Sequence, residues 1–146
     1  MKTFLRAAGL AALAGFAATV SQADDATELV TVVTSPEPQT QLMAMVLTMQ
    51  AAQQGAKAHI LLCGPAGDLA LKNAPESATA GQPPRGMSPQ GLMKAIQAKT
   101  GASVEVCAIY LPGRSADASV LIEGVGVAKP GAMASDLLDA DTVLSF

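Results

Sequence analysis

The sequence predicts an α/β protein, a three-layer α/β/α sandwich with a mainly parallel sheet of about five strands. Three observations carry that expectation. Short β-branched runs alternate with helical patterns, as in βα units. The first run, Leu29-Val30-Thr31-Val32-Val33, is nearly continuous in apolar residues, as in a strand covered on both faces. Proline or glycine punctuates most of the junctions.

Residues 1–23 read as a cleaved signal peptide. Basic Lys2 and Arg6 precede an apolar run from Ala7 to Val20, and small Ser21 and Ala23 stand before acidic Asp24, which places cleavage after Ala23. The apolar run is shorter than the roughly 20 residues a permanent span requires, and no later segment is long and apolar enough. The expected product is one domain over residues 24–146, periplasmic or secreted, with no membrane attachment once the leader is removed.

Within that domain the first strand is Glu28 to Thr34. Pro36 and Pro38 break it, and a helical pattern follows from about Gln39 to Gln54, closed by Gly55. Leu42, Met45, Val46, Met49 and Ala52 form its apolar stripe; Met43 and Leu47 widen it, which points to a subunit interface. The second strand is Lys57 to Cys63, followed by a turn over Gly64-Pro65-Ala66-Gly67 and a short helix from Asp68 to Asn73. Residues 74–87 are rich in Pro, Gly, Ser, Ala and Gln and read as an irregular loop or flap. Ser88 caps a helix opened by Pro89 and closed by Gly101. The third strand, Ser103 to Tyr110, carries Cys107. A turn at Leu111 to Arg114, a helical stretch near Ala116 to Ile122, a weak strand at Gly124 to Ala128, a helix from Pro130 to about Asp139 and a strand from Thr142 to Phe146 complete the chain.

Composition excludes some functions. Nine basic side chains stand against twelve acidic ones, and two of the basic ones, Lys2 and Arg6, lie in the leader. Nucleic acid and anionic membranes require clustered Lys and Arg, which are absent. Beyond the leader the aromatics are Tyr110 and Phe146, too few for base stacking or a flavin sandwich. No metal or organic cofactor is expected. Met43, Met45 and Met49 are soft ligands suited to copper, but the helical stripe accounts for them. Asp136, Asp139 and Asp141 read as a solvated helix end, and Gly64 to Gly67 lacks the Lys-Ser/Thr ending of a phosphate loop. His59, between Ala58 and Ile60 in a strand, reads as a hydrogen-bonded structural residue, and no G-x-S-x-G sequence supports a serine triad.

Cys107 is the candidate with chemistry. It lies toward the end of a strand and precedes a glycine turn and Arg114, a setting in which α/β sheets present reactive groups. The same residue type is more often an inert buried hydrophobe. Cys63 is the second cysteine. In an oxidising compartment two cysteines pair by default, yet both stand on strands, and Cα atoms more than about 7 Å apart cannot be bridged. A structural bridge, a redox pair and two free thiols all stay open.

The segment Gly101-Ala-Ser-Val-Glu-Val-Cys107-Ala-Ile-Tyr-Leu-Pro-Gly-Arg114 resembles the stretch around the sulfur-carrying cysteine of DsrE/DsrF-like sulfur-relay proteins. Leu29 to Thr34 with Gln39-Thr40, His59 to Leu71, and Asp136 to Phe146 are similar to that family's first strand and helix start, second strand and turn, and closing helix and strand. The resemblance implies a sulfurtransferase-type role: Cys107 takes sulfane sulfur from a donor protein as a persulfide and hands it to an acceptor protein, within trimers or hexamers of the chain. Arg114 is placed by position as a neighbour of the persulfide. The proline-rich 74–87 segment and the leader depart from the family pattern. The competing expectation is an exported oligomeric binding module of the same fold whose cysteines are structural.

Overall fold

A computed structural model describes residues 26–146. The expected signal peptide and its cleavage site lie outside these residues. The sheet has five strands: β1 (Glu28–Val33), β2 (Lys57–Leu62), β3 (Ser103–Cys107), β4 (Val125–Ala128) and β5 (Thr142–Ser145). They lie in the order β4-β3-β2-β1-β5, and every pairing is parallel. The helices are α1 (Pro38–Gln53), α2 (Glu76–Thr79), α3 (Pro89–Thr100), α4 (Tyr110–Gly113) and α5 (Pro130–Asp139), with 3₁₀ turns at Gly64–Ala70 and Ala118–Val120. No described helix is long and apolar enough to cross a membrane.

Crossover handedness distributes the helices. From β1 to β3 the chain steps across the sheet in one direction, and right-handed crossovers put α1 and α3 together on one face. The return from β4 to β5 runs the opposite way and puts α5 on the other face. The first face holds the main core: Leu29, Val33, Ile60, Leu62, Val104 and Val106 of the strands pack with Met45 and Met49 of α1 and Met93 and Ile96 of α3. Thr31 is also fully buried there, and its hydroxyl meets that of Thr48 at 2.8 Å. On the second face Val30, Leu61 and Ala128 form a smaller cluster with Met133 and Ala140. Among the described residues that face has only α5 over it, and no α5 residue is fully buried.

Local chemistry sets the helix ends. Ser88 accepts from the Gly91 N–H at 3.1 Å ahead of Pro89, and Gly101 closes α3 at φ 71°, a left-handed conformation favoured for glycine. The Glu37 carboxylate caps α1 by accepting from the N–H groups of Gln39 and Thr40 at 3.0 and 2.6 Å. This holds its pKa below the ordinary carboxylate value.

Several sequence expectations are corrected. The third strand stops at Cys107, because Tyr110 to Gly113 coil into α4. The helix expected at Asp68 to Asn73 starts earlier, as the 3₁₀ turn Gly64–Ala70, and the stretch near Ala116 to Ile122 is helical only over Ala118–Val120. The 74–87 segment is not wholly irregular. It contains α2, with Ala78 buried, and a bridge between Gln82 and Met87. On α1, Met43 and Leu47 are exposed while Ala44, Met45, Thr48 and Met49 turn inward.

Candidate functional site

β2 and β3 are neighbours, and their register pairs Leu62 with Val106. The next residue on each strand is therefore Cys63 and Cys107, side by side at the carboxyl edge of the sheet. Their Cα atoms are 5.0 Å apart, close to the spacing of adjacent strands, and their sulfurs are joined in a disulfide. Placement on separate strands thus favours the bridge instead of preventing it. Closing a span of 44 residues constrains the unfolded chain by about 4 kcal/mol in the chain-entropy view.

The two members differ in exposure. Cys107 is 5% exposed, whereas Cys63 is half-buried. Both line an open recess of about 400 Å³ on the second face of the sheet, walled by Ile109 and by Pro130, Met133 and Leu137 from α5. None of its lining side chains is charged. Ile109, at its rim, is 79% exposed. The recess offers a sulfur-bearing floor, apolar walls and access from solvent.

Arg114 does not line this recess. Its guanidinium pairs with the Asp68 carboxylate and stands 5.0 Å from the centre of the Tyr110 ring. The cationic neighbour expected beside Cys107 is committed elsewhere. What it builds instead is a clamp. Tyr110 donates its hydroxyl to Asp68 Oδ1 at 2.8 Å. Burial, followed by the hydrogen bond and charge of Asp68, pushes the Tyr110 hydroxyl well above its ordinary pKa. Asp68 belongs to the 3₁₀ turn that begins one residue after Cys63, and Tyr110 opens the helix three residues after Cys107. Gly67 completes the contact, since any side chain there would overlap the Tyr110 ring.

A second polar cluster holds α5. His59 is largely buried, with Nε2 3.0 Å from Glu105 Oε2 and Nδ1 3.3 Å from Asp136 Oδ2. The Glu105 contact is close but not aligned as a hydrogen bond. Asp136 is therefore not simply a solvated helix end: it joins α5 to the sheet through His59. The Ala58-His59-Ile60 pattern signalled burial, but nothing in it named a partner on a distant helix.

Among the described residues no set of His, Cys, Asp and Glu has the arrangement of a metal site. Met45 is buried while Met43 is 51% exposed, so these thioethers do not converge. A larger recess, about 710 Å³, lies between α1 and the 82–87 segment, with Leu42, Met43, Pro83, Pro84 and Arg85 on its walls. It holds no nucleophile, and the bridged pair is the better candidate despite its smaller volume. The same geometry shows that the 74–87 segment is not among the walls of the cysteine recess.

No family model and no curated protein matches the chain. Among solved structures it is similar to the YchN protein from E. coli, with a TM-score of 0.66 and 19% identity over 83% of this chain and 99% of that one. At that identity the likeness establishes the fold alone. The shared architecture is the five-stranded parallel sheet flanked by helices.

Proposed function

We propose that this chain is an exported sulfur-relay protein in which the Cys63–Cys107 pair is the working group. In the reduced form Cys107 accepts sulfane sulfur as a persulfide and passes it to a partner protein. The observation that carries the reading is the placement of both cysteines at the carboxyl edge of a DsrE-like sheet, in an apolar recess open to solvent. An apolar lining suits a sulfane sulfur, and the open rim leaves room for a partner's thiol. The bridge is the oxidised state of this site, in keeping with the oxidising compartment that the leader implies. Exposed Met43 and Leu47 on α1 support a contact between copies of the chain, and the resemblance implies trimers or hexamers.

The test is intact mass after reduction and exposure to a persulfide donor. In Cys63→Ser, where no second thiol can displace the added sulfur, Cys107 should gain one reducible sulfur that Cys63→Ser combined with Cys107→Ala does not gain. Equal labelling of the double variant, or no gain at all, would reject Cys107 as carrier.

One observation favours a second reading. Cys107 is buried and already bonded to Cys63. A purely structural bridge in an oligomeric binding module has this appearance. In that case reduction lowers stability and creates no sulfur-accepting thiol.

A further inference from the structure

We propose that Cys63 discharges the persulfide: when no acceptor takes the sulfur held on Cys107, Cys63 displaces it as hydrogen sulfide and the observed bridge is the product. This rests on the carrier reading above and adds a second activity to the same site, the reduction of sulfane sulfur to sulfide.

The step balances without an outside oxidant. The Cys63 thiolate attacks the inner sulfur of the persulfide, the Sγ of Cys107. The Cys63–Cys107 bond forms, the bond from Cys107 Sγ to the outer sulfur breaks, and the outer sulfur leaves with the electron pair as hydrosulfide. Two cysteine sulfurs are oxidised and one sulfane sulfur is reduced by two electrons. The persulfide's proton leaves on the hydrosulfide. A dithiol reductant then reopens the bridge for another turnover.

Four features of the molecule favour this reaction. The bond that forms is the one present between Cys63 and Cys107, and a Cα separation of 5.0 Å lets it form with the strands in place. The clamp from Asp68 to Tyr110 and Arg114 ties the segments behind the two cysteines, so the thiols stay adjacent after the bridge opens. Such a pair reacts as an intramolecular couple, at an effective concentration that external thiols do not match. Cys63 is the more exposed member, which gives it access to solvent for deprotonation, and the recess beside both lets hydrosulfide leave.

The experiment treats the reduced protein, freed of small thiols, with one equivalent of glutathione persulfide. Sulfide is measured above a protein-free control, and the protein is weighed intact. The wild type should release about one sulfide per chain and end as the bridged form without added sulfur. Cys63→Ser, and Cys63→Ala as a second replacement, should keep the sulfur on Cys107 and release sulfide at least about ten-fold more slowly. Thermal melting of both variants checks that they are folded. If the wild type holds its persulfide as long as these variants do, the discharge step is wrong and the carrier reading stands. If neither variant takes sulfur on Cys107 although both are folded, the carrier reading itself fails, and the discharge step fails with it.

Discussion

Tyr110 donates its hydroxyl to the Asp68 carboxylate at 2.8 Å, and this bond links the segment that follows Cys63 to the segment that follows Cys107. The disulfide links the same two segments covalently. One connection survives reduction and the other does not. The hydrogen bond therefore matters most when the bridge is open.

Tyr110→Phe removes that bond and leaves Asp68 with Arg114 alone. A hydrogen bond to a charged group is worth about 1.5–3 kcal/mol, and the partly exposed carboxylate puts the expected loss at the lower end. Urea unfolding of the reduced protein should show it. Titration against a glutathione redox buffer should also move toward the dithiol, because the two thiols are less well held. An unchanged redox equilibrium in a folded variant would mean that the clamp does not position the pair.

Cys63→Ser combined with Cys107→Ser removes the bridge without leaving one thiol behind. A loss of roughly 2–4 kcal/mol is expected in denaturant unfolding, matching that of the wild type on reduction. A loss well below this range would show that the reduced chain already keeps the strands together.

Gly67→Ala places a methyl group against the Tyr110 ring. Overpacking of this kind costs about 1–3 kcal/mol. Thermal unfolding should detect the loss, and Tyr110→Ala in the same chain should recover part of it. No recovery would place the strain elsewhere.

Asp136→Asn weakens the attachment of α5 to the sheet through His59. Hydrogen exchange should quicken in α5 while the amides of β1, β2 and β3 keep their protection. Thiol labelling of the reduced pair should quicken as well, because α5 walls the cysteine recess. Faster exchange without faster labelling would separate the helix from control of the site.

Glu37 sets a pH dependence. Its carboxylate pKa is lowered from the ordinary 4.5, first by the Gln39 N–H, then by Thr40. A depressed folded-state pKa stabilises the protein above the unfolded value, and the contribution is lost as pH falls through the folded value. Glu37→Gln should therefore lower the melting temperature slightly at neutral pH, with the gap from wild type closing in acid. A gap that widens in acid would contradict the cap.

The sheet was legible because its strands announce themselves. Leu29 to Val33 is almost wholly apolar, and the Ser88-Pro89 start and Gly101 stop of α3 are local chemistry that any fold must respect. The site was legible only in part. Cys107 and Cys63 stood out by residue type, but their meeting depends on which strands adjoin and in what register, and neither is written in a local pattern. Arg114 was placed beside Cys107 from proximity in sequence, whereas α4 turns it toward Asp68, 46 residues away. Asp136 looked like a helix end because its partner, His59, lies in a strand far earlier in the chain. In each miss a long-range pairing decided the outcome.

The β1–β5 pairing has a consequence for how the molecule comes into being. β1 is an interior strand, but one of its two neighbours is made of residues 142–146, and the Phe146 carbonyl accepts the Thr34 N–H at 2.7 Å. During synthesis β1 can pair early with β2 while its other edge stays bare until residues 142–146 emerge. For that interval the nascent protein presents an unpaired edge beside Val30 and Val32, a template for association with other chains. Residues 142–146 thus protect a strand made far earlier, and a chain stalled before them would leave that edge open to its neighbours.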